Sequence, residues 1–212
     1  MSVSKLIDIS LPLSEELPFW PGNPPFRFEP IHRLATGAHS NESAYSTNIH
    51  TGTHIDVPWD FLPEADKTES VDLRALNRSA TVLAPTGIRQ VTAEDLRAAD
   101  VEQGVDRLLL RTDNSRLWAN QEGEFRKDFV ALAEDAAEWL AVKHIKLIGI
   151  DYLSIKLYGG SNRTHEVLLE AGVIILEGLN LHHVQPGKPD LICLPLAIQG
   201  AQVVPARAVL KK

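Results

Sequence analysis

Between His50 and Phe61 the chain reads HTGTHIDVPWDF, two histidines and two aspartates within twelve residues. A helix would bring His50 and His54 together, as in zinc-protease helices, but that motif needs Glu directly after the first His. Here Thr51, Gly52 and Thr53 intervene, and two β-branched residues around a glycine favour an extended chain. Alternate side chains of a strand share a face. His50, Gly52, His54 and Asp56 are then expected on one side, and Thr51, Thr53, Ile55 and Val57 on the other, facing a core. Gly52 is expected to clear the space between the two imidazoles. Pro58 ends regular pairing, and Asp60 follows close by. Two imidazoles and a carboxylate on one face form a ligand set for a divalent cation.

Such a site needs donors from other segments. Glu177 stands in the apolar run VIILEGL. A carboxylate buried there costs several kcal/mol, of order ~2–7, unless it is paired or bound to metal; alternatively the strand ends early and Glu177 reaches water. Asp151 after KLIGI and Asp113 after LLLRT have the same character, which a strand-terminal turn explains equally well. His165, in NRTHEVLLE, lies twelve residues before Glu177. HEVLL lacks the second His of the protease motif, so that reading fails.

The elements that must carry these groups are short strands and a few helices. Strands are expected at KLIDISL (5–11), through YSTNIH into the first motif, and at ATVLAP (80–85), DRLLLRT (106–112), KLIGID (146–151), VIILEG (173–178) and DLICLPL (190–196). TAEDLRAA predicts a helix capped by Thr92, with acidic residues in its first turn. FRKDFVALAEDAAEWLAVK predicts a second, with Phe129, Leu132, Ala133, Ala136, Ala137 and Leu140 at helical spacing. A third starts near Thr164 and stops at Gly172. Strand and helix do not alternate regularly, so the pattern reads as α+β, strand-rich, in a single domain spanning 1–212, rather than a doubly wound parallel sheet. PFWPGNPPF, Pro18 to Phe26, holds four prolines and reads as a rigid aromatic loop.

Composition narrows the partners. The chain has 212 residues, 44% hydrophobic, with net charge −7. That balance disfavours nucleic acid and anionic membrane, which need a basic surface. Cys193 is the only cysteine, in an apolar run, so it is expected to be buried and inert, and cysteine-based metal sites are excluded. Without a signal-like apolar segment near Met1 or a run of about 18 apolar residues, a cytoplasmic protein is the expectation.

HTGTHIDVP resembles the signature of the cyclase-like metal-dependent hydrolase family, the bacterial kynurenine formamidase and isatin hydrolase type, which reads His-x-Gly-Thr-His-x-Asp-x-Pro-x-His. DYLSIKLYGGSNRTHEVLLEAGVIILEGLNL is similar to its second metal segment, ICLPLAIQGAQVVPARAVL to its C-terminal strand pair, and LIDISLPLSEELPFWPGNPPF to its opening. The resemblance implies a swivelling β/β/α fold, usually a homodimer. It also implies metal ligands at His50, His54, Asp56, His165 and Glu177, with Asp56 shared between two zinc ions; manganese serves in some relatives. The implied reaction is hydrolysis of a small amide or lactam C–N bond, with N-formylkynurenine to kynurenine and formate as the leading case. The alternatives are lactone hydrolysis, or a cyclase or dehydratase reaction, on the same metals. The signature's last His, implied to move protons, is Asp60 here. Asp60 is therefore the candidate catalytic residue, as a base, an extra ligand or an anchor for a cationic group; otherwise the chain is a metal-binding homologue without amidase activity. Ser154 and His183 are alternative proton relays. Trp20, Phe19 and Trp59 are candidates to line an apolar pocket for an aryl or cyclic substrate.

Overall fold

A computed structural model describes residues 5–99, 101, 104–120 and 123–212. Its strands, in chain order, are β1 (Leu6–Asp8), β2 (Arg27–His32), β3 (Glu42–Ser46), β4 (His54–Asp56), β5 (Asn77–Ser79), β6 (Thr81–Leu83), β7 (Gln90–Val91), β8 (Arg107–Leu110), β9 (Ala131–Leu132), β10 (Leu147–Ile150), β11 (Ile174–Glu177), β12 (Asp190–Pro195) and β13 (Val203–Lys211). The helices are α1 (Leu73–Leu76), α2 (Ala93–Ala98), α3 (Ser115–Ala119), α4 (Glu134–Val142) and α5 (Arg163–Glu170). The central sheet runs β5-β12-β13-β4-β11-β10-β8-β6, with β1 also on β13. This is the expected strand-rich mixed architecture. One half differs from the expectation: β6, β8, β10 and β11 run parallel. The other half is antiparallel, and β4 sits at the seam, antiparallel to both β11 and β13.

The parallel strands are buried on both faces, and their two-residue period sorts them between two cores. Leu109, Leu147 and Leu176 join Ile55, Val57 and Cys193 on one side. Leu108, Leu110, Ile148, Ile150 and Ile175 pack on the other against α2, α4 and α5, through Leu96, Ala136, Leu140 and Leu168. Glu177 follows Ile175 by two positions, so it emerges on the face where α5 lies. His54 and Asp56 alternate with Ile55 and Val57 and take that face too.

Thr92 caps α2 in a capping box with Asp95, as expected. Gly172, at φ +71°, ends the turn after α5. The helix expected over 125–143 is shorter than its apolar spacing suggests. Only Glu134–Val142 is helical, and Ala131 and Leu132 form β9 beside β7. Phe129 is pulled into an aromatic cluster with Trp20, Phe125 and Tyr152, and Asn114 pairs with both backbone groups of Val130. Tertiary contacts override the local period here. Cys193 is buried, and burial pushes its thiol up to about 12, so it is inert. No helix among the described residues is long and apolar enough to cross a membrane.

Asp151 closes β10 and braces the neighbouring loop. It is fully buried and accepts from the backbone N–H and hydroxyl of both Thr112 and Ser115, and from the Asn114 amide. Burial pushes its carboxyl up to about 6 against these bonds. Its own carbonyl accepts from the Trp118 indole. Asp113, in contrast, is half-buried, bonds the Gly87 N–H and pairs with Arg116. Asp151→Ala would strand two buried backbone donors and is expected to cost about 3–5 kcal/mol. Urea denaturation checks this, and a loss below about 1 kcal/mol would show the brace to be dispensable.

Candidate metal centre

The site sits where β4 and β11 meet, at the carboxyl end of the parallel strands, the usual ligand position in such sheets. The pairing places His54 directly opposite Glu177, and their side chains approach to 3.3 Å between Nε2 and Oε2. His54 Nε2 is also 3.6 Å from Asp56 Oδ1. α5 supplies His165 from the sheet's covered face; its Nε2 lies 3.2 Å from Glu177 Oε1 and 3.8 Å from Asp56 Oδ2. His50 closes the set from the preceding turn, with Nδ1 3.8 Å from Asp56 Oδ1. Two groups of three donors result, His50/His54/Asp56 and Asp56/His165/Glu177, each with ligand atoms within 4.8 Å of one another. Asp56 belongs to both and offers a different oxygen to each side.

The backbone around these residues departs from the expected strand. Only His54–Asp56 is paired as a strand; His50 to Thr53 form a turn, with Gly52 at φ +73°. Gly52 is needed for that left-handed conformation, and a Cβ there would lie 2.7 Å from Leu13 Cδ2. It does not space the imidazoles. Its carbonyl meets His54 Nδ1 at 2.9 Å, which puts the proton on Nδ1 and turns the Nε2 lone pair toward the carboxylates. Gly178 crosses so near that a Cβ on it would fall 2.1 Å from the Gly52 carbonyl oxygen. Thr53 donates its hydroxyl to the Gly178 carbonyl and accepts from Leu11 N–H. Ile155 N–H donates to Glu177 Oε1 at 2.6 Å.

The electrostatics are those of a site built for a cation. His54 Nε2 and Asp56 Oδ1 are buried without a hydrogen-bond partner, although each faces groups that a positive ion would satisfy. Burial, then the charges of Glu177 and Asp60, hold the Asp56 carboxyl well above its usual range. Burial also raises Glu177, but the neighbouring imidazoles of His165 and His54 outweigh it and bring the group down to about 2. Burial and the neighbouring His54 lower His50 to about 4, so its ring is a neutral donor at neutral pH. Divalent ions would neutralise the crowded carboxylates and use the unpaired atoms. The donors are all oxygen and nitrogen, so the residues fit such ions.

A cavity of about 250 Å³ opens above this floor, lined by His50, Asp56, Asp60, His165 and Glu177 below and Trp20, Phe61 and Leu153 at its wall. Asp60 Oδ1 is 3.7 Å from His50 Nε2. Burial, then Glu177, raise Asp60 to about 6; a bound cation would draw it down again. Trp20 is wedged among Phe125, Phe129 and Tyr158, which makes it a rigid surface. Ser154 reaches the cavity, whereas His183 is exposed and does not line it. Phe19 and Trp59 do not line it either. Trp59 sits beneath the Lys67 ammonium, 4.0 Å from its ring centre. Phe61, two residues on, takes the inward position and stacks on His165 at 4.4 Å. The turn Pro58–Asp60 rotates the chain here, and the sequence carried no signal to separate Trp59 from Phe61. A larger hollow of about 650 Å³ lies at the opposite end of the sheet, near Arg78 and Lys211, and neither donor group borders it.

Comparison with known proteins gives a consistent picture. Residues 7–156 match the family described as "Putative cyclase". The chain is 36% identical to Cyclase-like protein 1 of Arabidopsis thaliana, over 98% of its length and 85% of that protein. It is 35% identical to kynurenine formamidase of Bacillus thuringiensis (strain Al Hakam), over 100% of its length and 99% of that protein. A solved structure titled as a predicted metal-dependent hydrolase from Bacillus stearothermophilus superposes with a TM-score of 0.85 at 32% identity, covering 99% of each chain.

Proposed function

Because the chain belongs to the cyclase family, we propose that it is a metal-dependent hydrolase of a small amide or lactam C–N bond, similar to arylformamidase. N-formylkynurenine is the leading substrate, yielding kynurenine and formate. The observation that carries this reading is the pair of donor groups sharing Asp56 beneath an aromatic-walled cavity.

In this reading His50, His54 and Asp56 hold one divalent cation, and Asp56, His165 and Glu177 a second. Zinc is the first choice and manganese the alternative, since both accept oxygen and nitrogen donors. When bound, such ions polarise a carbonyl and acidify water. The chain's own residues do the rest. Gly52 fixes the tautomer of His54, and Ile155 N–H orients Glu177. Trp20, Phe61 and Leu153 receive an aryl ring and exclude water from one side of the scissile bond. Asp60, 3.7 Å from His50 Nε2 and open to the cavity, is placed to carry a proton toward the leaving nitrogen.

A second reading rests on that same position. With Asp60 where the signature has His, the site could serve lactone hydrolysis or a cyclase or dehydratase step, in which no poor nitrogen leaving group needs a proton.

Aryl formamide hydrolysis by the metal-loaded protein is the direct test. Chelation is expected to abolish it, and zinc or manganese to restore it. The melting temperature should fall with chelation by roughly 10 °C, since saturation a thousandfold above Kd contributes about 4 kcal/mol and each kcal/mol shifts a chain of this size by about 2–4 °C. An unchanged melting curve after complete metal removal would contradict the ligand assignment.

A further inference from the structure

We infer that Lys156 sets the substrate specificity of the cavity: its ammonium receives a carboxylate that the substrate carries at the end remote from the scissile bond. The inference rests on the amide-hydrolase reading and adds to it the residue that selects for a carboxylate on the substrate.

Lys156 lines the cavity together with the acidic and imidazole floor and the aromatic wall. It is the one lysine or arginine among those lining residues. Its ammonium donates to the Gly160 carbonyl at 3.0 Å, which occupies one of three N–H groups. Among the described residues no carboxylate lies within ion-pair distance of it. The floor carboxylates do not serve as its partner; Glu177 and Asp56 face the histidines instead. A cation beside an apolar wall with no counter-ion of its own suits an anionic group brought by a ligand.

The backbone beneath Lys156 is fixed relative to the floor. Ile155, the preceding residue, donates its N–H to Glu177 and accepts at its carbonyl from Leu132 N–H. Adjacent Cα atoms are about 3.8 Å apart, so the lysine stem starts close to the residue that holds a floor carboxylate. Tyr152 is stacked on Phe129 at 4.6 Å, and Tyr158 packs against Trp20 at 5.3 Å, so the loop is held on both sides of Lys156. A flat ring on Trp20 would share one cavity with both the floor and Lys156, so its reactive bond and a remote substituent can be met by different groups. A preorganised cation of this kind discriminates because little ordering is needed on binding.

The test compares 3-(2-formamidophenyl)propionate with an analogue in which a methyl ketone replaces the carboxylate. For the metal-loaded wild type, kcat/KM should favour the carboxylate. In Lys156→Met that preference should shrink by about ten- to a hundredfold, mostly through KM, as expected for one charge-assisted hydrogen bond. Lys156→Arg should retain the preference, and Lys156→Glu should reverse it. A preference that stays within about twofold in Lys156→Met overturns the inference and places the carboxylate on the floor's cations. If the wild type cleaves neither compound, the amide-hydrolase reading fails separately. Calorimetric affinities for 3-phenylpropionate and its methyl ketone analogue, on metal-loaded wild type and Lys156→Met, then decide the role of Lys156 by the same ratio.

Discussion

Glu177→Gln is expected to lower kcat for aryl amide hydrolysis by about three orders of magnitude or more while the protein remains folded. Gln keeps the volume of the side chain and can still accept from Ile155 N–H, so the local backbone has no reason to move. What is lost is the negative charge opposite His54 and beside His165. One of the two donor groups then lacks its only unshared carboxylate, because its other acidic member is Asp56. Bound metal should drop from about two ions per chain toward one or none, and the melting temperature should gain less from added zinc than in the wild type. Elemental analysis, steady-state kinetics and circular dichroism on one preparation separate the possibilities. Full metal content with wild-type turnover would remove Glu177 from the site.

Asp60→His should act in the opposite direction, raising kcat for an amide substrate by about ten- to a hundredfold with metal content unchanged. The physical ground is the proton inventory. An unperturbed imidazole titrates near about 6.5 and can take and return a proton at neutral pH, whereas an aspartate near bound cations stays ionised and is a poor acid. The position itself is suitable, since Asp60 opens to the cavity and approaches His50. The gain should appear with amides, whose nitrogen must be protonated to leave, and be far smaller with a lactone. If amide turnover does not rise and metal is retained, the proton is moved from another position; Ser154, which also borders the cavity, is the next to be replaced.

Much of this candidate site is legible in the sequence. His54 and Asp56 alternate with Ile55 and Val57, and that period survives folding because one face of β4 must enter a core. His165 and Glu177 stand twelve residues apart because α5, the turn at Gly172 and β11 together fold the chain back on itself. What could not be read depended on partners remote in sequence. Phe129 and Leu132 have helical spacing, yet the aromatic cluster and β7 claim them. The conformation of Gly52 follows from Gly178 lying against it. Whether Trp59 or Phe61 faces the cavity is decided by the turn at Pro58–Asp60, not by the order of aromatic letters. Lys156 carries no signal in the sequence, because nothing local marks a cation as lacking a counter-ion.

The seam position of β4 has a consequence for the order in which the protein can be made. His50, His54 and Asp56 leave the ribosome long before the strands that flank them; the contact between Thr53 and Gly178 spans 125 residues. Until β11 and β13 have emerged, His54 and Asp56 wait on an unpaired, three-residue stretch, with His50 in the turn before it, and this segment cannot hold its own geometry. Contacts of such span make for slow closure. In the proposed reading, metal uptake therefore belongs at the end of maturation, once the sheet that gathers the donors is complete.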